Sequence, residues 1–424
     1  MDFTRLTIKS QEAVAAAQEL ARRNGNPELY PEHLPSGGLR LPYFYVLPPN
    51  YDPNLKYPLL CWLHGTPGDE TAIVTPNSIF NDGQPLASHP QIKVFASLGR
   101  QQTDPGILLW PTRRAGGSSW TTSYIQLLSS FLNQITNVFN IDTNRIYVEA
   151  GSEGVHAAWD LAAMRPNYFA GGRLMDGFSG SSSASAVAGL PLWLFHSATD
   201  VNVDVSNSRT MVGNLRLARG RPIYTEYTTG DHISSIQTGE QTPGSVDWLL
   251  AQRRGAASAH GPSISITNTF GGTTPTTAST NINLAGVANA LGQPVSGITW
   301  TNATFGVSGS ASGSNIWSAS NVPLRSGQTN LLLVTGTTVS WSPVLGGNTT
   351  LNDWLNLLSS PIHASLSVQN GGLVLNWSGG APPFQVQMTT NLAANNWQLV
   401  GTNVMPPMPV SRNDPAEFYR ILGP

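Results

Sequence analysis

Apolar and polar residues alternate from Leu39 through LRLPYFYV, and a Pro/Asn turn then leads to the short apolar run PLLCWLHG, which ends at His64-Gly65. Alternation of period two predicts a half-buried strand, and the continuous run predicts a fully buried one. A polar loop from Thr66 to about Pro90 follows, then a strand at Gly106–Trp110, the loop PTRRAGGSSW and an amphipathic helix through Tyr124–Phe139. Strand and helix patterns keep alternating as far as Trp248, which predicts a mostly parallel sheet with helices on both faces. In NRIYVEAGSEGVHAAWD, Ile146 and Val148 mark a buried strand, and Val155, Ala158, Trp159 and Ala162 recur at helical spacing. Ser152 falls at the bend between the two.

The N-terminal pattern is different. Ser10 can cap a helix with Glu12 in its first turn; Ala13, Ala17 and Leu20 repeat along one face, and Gly25 ends it. At the other end, past the small-residue linker GAASAHGPS, come short strand-like runs separated by Gly/Ser/Asn turns: ISIT, INLAGVA, GITWTNA, NIWSASNVPL, NLLLVTG and TVSWSPV. A second set runs from about residue 361 to 424. The segmentation this predicts is a leader over 1–35, an α/β domain over 36–254, and two small all-β sandwiches over 255–350 and 360–424.

Composition sharpens the boundary. At 424 residues the chain exceeds one ordinary core, and beyond about residue 256 its charged side chains are only Arg325, Asp353, Arg412, Asp414, Glu417 and Arg420. A net charge of −2 with lysines only at 9, 56 and 93 gives no basic field for a phosphate backbone, which argues against a nucleic-acid partner. Cys61 is the sole cysteine, so no intramolecular disulfide forms, and its apolar strand predicts an inert core thiol. No run reaches the roughly 18 apolar residues of a membrane span. The N-terminus has neither the basic nor the apolar region of a signal peptide, so the expectation is a chain that stays inside or an exported one whose signal is gone.

The order strand, small-residue turn and helix is how a nucleophile elbow is built, and AGSEG matches G-x-S-x-G with Ala150 in the first glycine position. YDPNLKYPLLCWLHG, NRIYVEAGSEG with AAWDLAAMRPNYFAG, PLWLFHSATDVNVDVSNSR and YTEYTTGDH follow one another in the order of a known group. Residues 39–252 resemble serine esterases of the α/β-hydrolase fold, the group that includes feruloyl and acetyl esterases, polyhydroxybutyrate depolymerases and predicted peptidases. Residues 1–34 resemble the opening of the Clp chaperone N-terminal domain in R-L-T, Q-E-A, A-Q-x-L-A and P-E-H-L; with no phosphate-binding loop downstream, they read as a leader to the enzyme rather than as chaperone function. The β-rich half resembles an immunoglobulin-like domain without its disulfide, followed by a fibronectin type III-like one.

The resemblance implies a triad in the chain order Ser, Asp, His: Ser152 as nucleophile, Asp200 as acid and His232 as base. Asp204, on the same loop as Asp200, and Asp231, beside His232, are alternative acids, each otherwise a solvated carboxylate. His196 is expected to shape the acid loop, and His156 to pack on its helix. The N–H groups of Thr66 and Glu153 are the expected oxyanion hole. Relatives carry an uncharged residue at the Glu153 position, and Arg113 or Arg114 is the expected partner for its carboxylate. Trp120 is either a wall of the substrate pocket or a buried anchor. Metal-ligand spacings and dinucleotide fingerprints do not occur, so the chemistry is expected to need neither metal nor cofactor.

The implied activity is hydrolysis of carboxylic esters, with feruloyl or acetyl esters of plant polysaccharide first and a polyester second. A peptidase stands third, and a glycan-binding or adhesion protein with a decayed hydrolase is the reading from another class. Trp300, Trp317, Trp341, Trp354, Trp377 and Trp397 are expected mainly in sandwich cores. By analogy with such modular enzymes, the protein is expected to be secreted or at the cell surface.

Overall fold

The computed structural model describes residues 30–36, 39–48, 51–66, 104–113, 119–256, 261–268, 275–339, 344–380, 382–411 and 416–423. The chain divides into two compact units. The first takes in the described residues up to 263 together with 290–293 and 337–351, and the second holds 264–289, 294–336 and 352 onward.

Strands β1 (Tyr30–Ser36), β2 (Leu39–Val46), β3 (Tyr57–Leu63), β4 (Ile107–Pro111), β5 (Ile141–Gly151), β6 (Gly171–Met175), β7 (Leu192–Ser197) and β8 (Ile223–Tyr227) form the sheet of the first unit. They lie in the order β1-β2-β4-β3-β5-β6-β7-β8. From β4 to β8 every pairing is parallel, while β2 is antiparallel to both β1 and β4. Every residue of β3, β4, β6 and β7 is buried, as expected of strands covered on both faces. Leu41, Tyr43 and Tyr45 of β2 alternate into the core as their spacing predicts.

Helix α1 (Thr122–Val138) starts where the Thr121 side chain accepts from Tyr124 N. Tyr124, Ile125, Leu128, Phe131, Leu132 and Ile135 recur on its buried face. Phe131 packs on Tyr43 with ring centroids 4.4 Å apart. Helix α2 (Glu153–Met164) follows β5 at once and buries Val155, Ala157, Ala158, Trp159 and Leu161. The short α3 (Ala184–Val187), α4 (Ser206–Leu217), α5 (His232–Gln241) and α6 (Ser245–Ala251) complete the described helices of this unit. No described helix is long and apolar enough to cross a membrane.

The expected N-terminal helix and most of the Clp-like stretch fall on residues 1–29, outside the described residues, as does the polar loop from residue 67 onward. The end of that stretch, PEHL, lies in β1, paired with β2 from Tyr30 opposite Tyr45 to Ser36 opposite Leu39. These residues thereby join the sheet of the first unit.

The C-terminal part is made of small antiparallel β sheets. Its last portion has two three-stranded sheets, 363–369 with 372–378 and 408–410, and 384–389 with 398–404 and 418–422, around Leu375, Trp377, Phe384 and Val386. Trp300, Trp317 and Trp377 are core residues, as expected; Trp354 and Trp397 are half-buried, and Trp341 lies outside the described residues. One strand was not foreseen. Asn348–Ser359 occupies the interval expected to separate the two β modules, and its first residues pair antiparallel with β8, Asn348 opposite Glu226, Thr349 opposite Thr225 and Thr350 opposite Tyr224.

Candidate active site

The turn from β5 into α2 puts Ser152 at φ 55° and ψ −128°, a conformation that costs a non-glycine residue about 1–3 kcal/mol. Tight packing holds it there. Ser152 N donates to Met175 O of β6 at 2.9 Å, and Val155 N donates to Ser152 O at 3.1 Å. A Cβ on Gly154 would stand 2.1 Å from Leu63 O, so only glycine lets α2 approach β3 this closely. Gly65 presses on the serine from the loop after β3, where a Cβ would come 2.7 Å from Ser152 Cβ.

Asp200 follows β7 and His232 follows β8, at the carboxyl ends of adjacent parallel strands, where open α/β sheets carry their sites. His232 Nδ1 donates to Asp200 Oδ2 at 2.6 Å, which leaves Nε2 as the proton acceptor. Asp200 Oδ1 accepts from Asn202 N at 2.8 Å and Val203 N at 3.0 Å. Burial pushes the Asp200 carboxyl up, but the bonds from His232, Val203 N and Asn202 N outweigh it and hold the group below the usual carboxylate range. His232 is the first residue of α5, whose N-terminus is capped by the Asp231 carboxylate accepting from Ile233 N and Ser234 N. One turn along the same helix, Ile236 lies 3.4 Å from where a Cβ on Gly151 would stand, which brings the helix of the histidine against the elbow of the serine.

The rival acids have other work. Asp231 is the cap of α5, and Asp204 is exposed and accepts from Ser206 N at 2.8 Å. His196 Nε2 donates to Val203 O at 2.9 Å, so Nδ1 accepts from the Ser208 hydroxyl at 2.7 Å, and the ring braces the acid loop as expected. His156 stacks on Phe178 with ring centroids 5.9 Å apart. Cys61 is wholly buried in β3, and burial pushes its thiol up, out of the reactive range.

Glu153 ties three segments together. Its carboxylate accepts from the hydroxyls of Thr66 and Ser119 and from Trp120 N at 2.9 Å, and Arg113 Nη1 stands 3.4 Å away. Arg113 is thus the partner, whereas Arg114 lies outside the described residues. Burial pushes the Glu153 carboxyl up, yet Ser119, Thr66, Trp120 N and Arg113 together bring it below its usual value, so it is ionised at neutral pH. The charge beside Ser152 is thus neutralised sideways, by the loops on either side. Trp120 is wholly buried, donates from its indole nitrogen to His64 O at 2.9 Å, and so stands as an anchor of the loop carrying Gly65 and Thr66.

Asp176, at the end of β6, is a residue the sequence reading missed. It has φ 47°, is wholly buried, and accepts on Oδ1 from Ser197 N at 3.0 Å and Ser235 Oγ at 2.5 Å. Asp176, His196 and Asp200 bring one ligand-type atom each within 4.8 Å of one another. With Nε2 protonated toward Val203 O and Nδ1 taken by Ser208, His196 has no lone pair left for a metal. Burial, outweighing the bonds from Ser235 and Ser197 and aided by the charge of Asp200, pushes the Asp176 carboxyl well above the usual range. Its only sequence signal is an Asp-Gly after an apolar strand, which reads as an ordinary turn.

The strand order, the elbow after β5 and the loops after β7 and β8 are those of the α/β-hydrolase fold. No family profile matches the chain, and no curated protein sequence matches it. Among solved structures it is similar to a thermostable esterase, at 25% identity and a TM-score of 0.47 over 54% of this chain and 64% of that one. It is also similar to a ferulic acid esterase from Anaeromyces mucronatus, at 16% identity and 0.39 over 50% of this chain and 88% of the other. A third is an acylaminoacyl peptidase from Pyrococcus horikoshii, at 15% and 0.43 over 55% of this chain and 43% of that one. The chain therefore spans under two thirds of the length of the thermostable esterase.

Proposed function

We propose that the protein is a serine carboxylesterase. The observation that carries the reading is the His232–Asp200 pair at 2.6 Å, on the helix that packs against the strained Ser152 elbow. Ser152 Oγ attacks the ester carbonyl carbon while His232 Nε2 takes its proton, and Asp200 stabilises the imidazolium that forms. The carbonyl oxygen becomes an oxyanion held by the N–H groups of Thr66 and Glu153, donors of a kind each contributing about 3–4 kcal/mol. The C–O bond to the leaving alcohol breaks as His232 returns the proton to it. Water then adds to the acyl-enzyme by the same route, giving the carboxylic acid and free Ser152.

The favoured substrates are feruloyl or acetyl esters of plant polysaccharide. A polyester is the second reading, supported by Val201 and Ile233, which directly follow the acid and the base and are 90% and 44% exposed, an apolar rim suited to an apolar chain. The protein and its Ser152→Ala variant, assayed side by side on p-nitrophenyl acetate, methyl ferulate and a polyester film, decide the matter. The expected result is turnover that falls by roughly a thousandfold or more in the variant. The preferred ester then separates the two substrate readings, and equal background rates overturn both.

A further inference from the structure

Residues 344–351 come from the middle of the β-rich half of the sequence, yet they belong to the first unit. Gly346 and Gly347, at φ 62° and 111°, bring this backbone against β8 so closely that a Cβ on Gly347 would stand 2.0 Å from Glu226 O. Beyond the two glycines, 348–350 pair with β8. Thr349 is wholly buried, and its hydroxyl meets that of Thr225 at 2.7 Å, to which the Trp193 indole of β7 donates at 2.9 Å. Arg216 of α4 donates to Thr350 Oγ1 at 3.1 Å. This is a built-in strand, not a loop lying on an edge.

Just before the glycines the same segment reaches the loop that leads into His232. Leu345 O accepts from Thr229 N at 3.2 Å and from Thr229 Oγ1 at 3.3 Å. The Leu345 side chain covers Gly230, where a Cβ would come 3.1 Å from Leu345 Cδ1. Gly230 O in turn accepts from Ser197 Oγ at 2.7 Å, at the end of β7, and from Thr199 Oγ1 at 3.0 Å, the residue before Asp200. The two residues before Asp231 are thus clamped between the acid loop and Leu345.

We propose that the strap from Leu345 to Thr350 is a positioning element for the catalytic base: it holds Thr229 and Gly230 so that His232 keeps its bond to Asp200. The proposal rests on the esterase reading, in which His232 is the base. The strap touches no substrate; it acts through the histidine loop, and a displacement of about 1 Å in such a loop can cost about a hundredfold in rate.

The test uses the full chain as wild type, Leu345→Ala, Gly347→Val and Ser152→Ala. Two quantities are measured: kcat and KM on p-nitrophenyl acetate, and the rate of covalent labelling by a fluorophosphonate, with folding followed by circular dichroism. Wild type is expected to label and Ser152→Ala not to. Leu345→Ala is expected to lose about tenfold in kcat and Gly347→Val about a hundredfold, with KM changed less than about threefold and labelling slowed in step. Folded variants with unchanged kcat, or with the loss confined to KM, overturn the proposal. Should Gly347→Val not fold, Leu345→Ala decides alone. A wild type that does not label fails at the esterase reading itself, which sets that failure apart from failure of the strap.

Discussion

Two carboxylates near Ser152 are shifted in opposite directions, and their pH signatures run in opposite directions. Glu153 is depressed, so the stability it adds is present above its unfolded value near pH 4.3 and is lost as pH falls through its lower folded value. Glu153→Gln turns an amide toward donors that expect a carboxylate and leaves buried Arg113 facing it. It should cost about 1–3 kcal/mol in urea unfolding at pH 7, a difference that shrinks below about pH 4. Asp176 is raised, so it favours the folded state below its unfolded value near pH 3.9, and that contribution is lost as pH rises through its folded value. Asp176→Asn keeps an acceptor for Ser197 N and Ser235 Oγ without the titration. It should hold kcat within about threefold of wild type and gain stability relative to wild type as pH rises above the unfolded value, whereas a kcat loss beyond about a hundredfold would mean that the reaction needs the charge.

At the scale of elements, legibility followed local pattern. β3, β5, α2, β7 and β8 could be read because each carries its own apolar period, and the elbow because Gly151, Gly154 and Ser152 crowd into one turn. Asp200 and His232 were legible through chain order, since each follows a strand by a short loop. What failed to show was the partner that matters only in three dimensions. Asp176 looks like a turn residue until β6 sets it beside Asp200. Arg173 and Glu149 are both wholly buried and paired across β6 and β5, a charge pair hidden inside apolar runs. The strand 348–359 was missed because NTTLNDWLNLLS is rich in Asn and Asp, residues that argue for a loop. Its place is decided by a bare edge of β8, which no local window contains. Trp120 was legible as important but not in kind; only the bond from its indole to His64 O distinguishes an anchor from a pocket wall.

At the scale of the whole molecule, sequence composition and folded units draw different borders, and a pair of truncations exploits the difference. Composition changes near residue 256, which invites a cut after Arg254 to isolate the enzyme. The first unit, however, also takes in 344–351, of which 348–350 pair with β8, and 290–293, where Leu291 lies 2.8 Å from the place a Cβ on Gly244 would take at the start of α6. A chain ending at Arg254 leaves β8 as an open edge, with the Thr225 hydroxyl deprived of Thr349 and the loop before His232 held from one side only. A chain ending at Ser360 keeps the whole strap and removes the last β portion, which is built on its own core of Leu375, Trp377, Phe384 and Val386. The longer truncation should retain p-nitrophenyl acetate turnover within about twofold of the full chain, and the shorter one should lose about a hundredfold or precipitate on expression. Equal activity in both would make the β-rich half an appendage. The expected split makes the middle of that half part of the working unit, because Asn348–Thr350 pair with the strand that leads to His232 and Leu345 holds the loop between them.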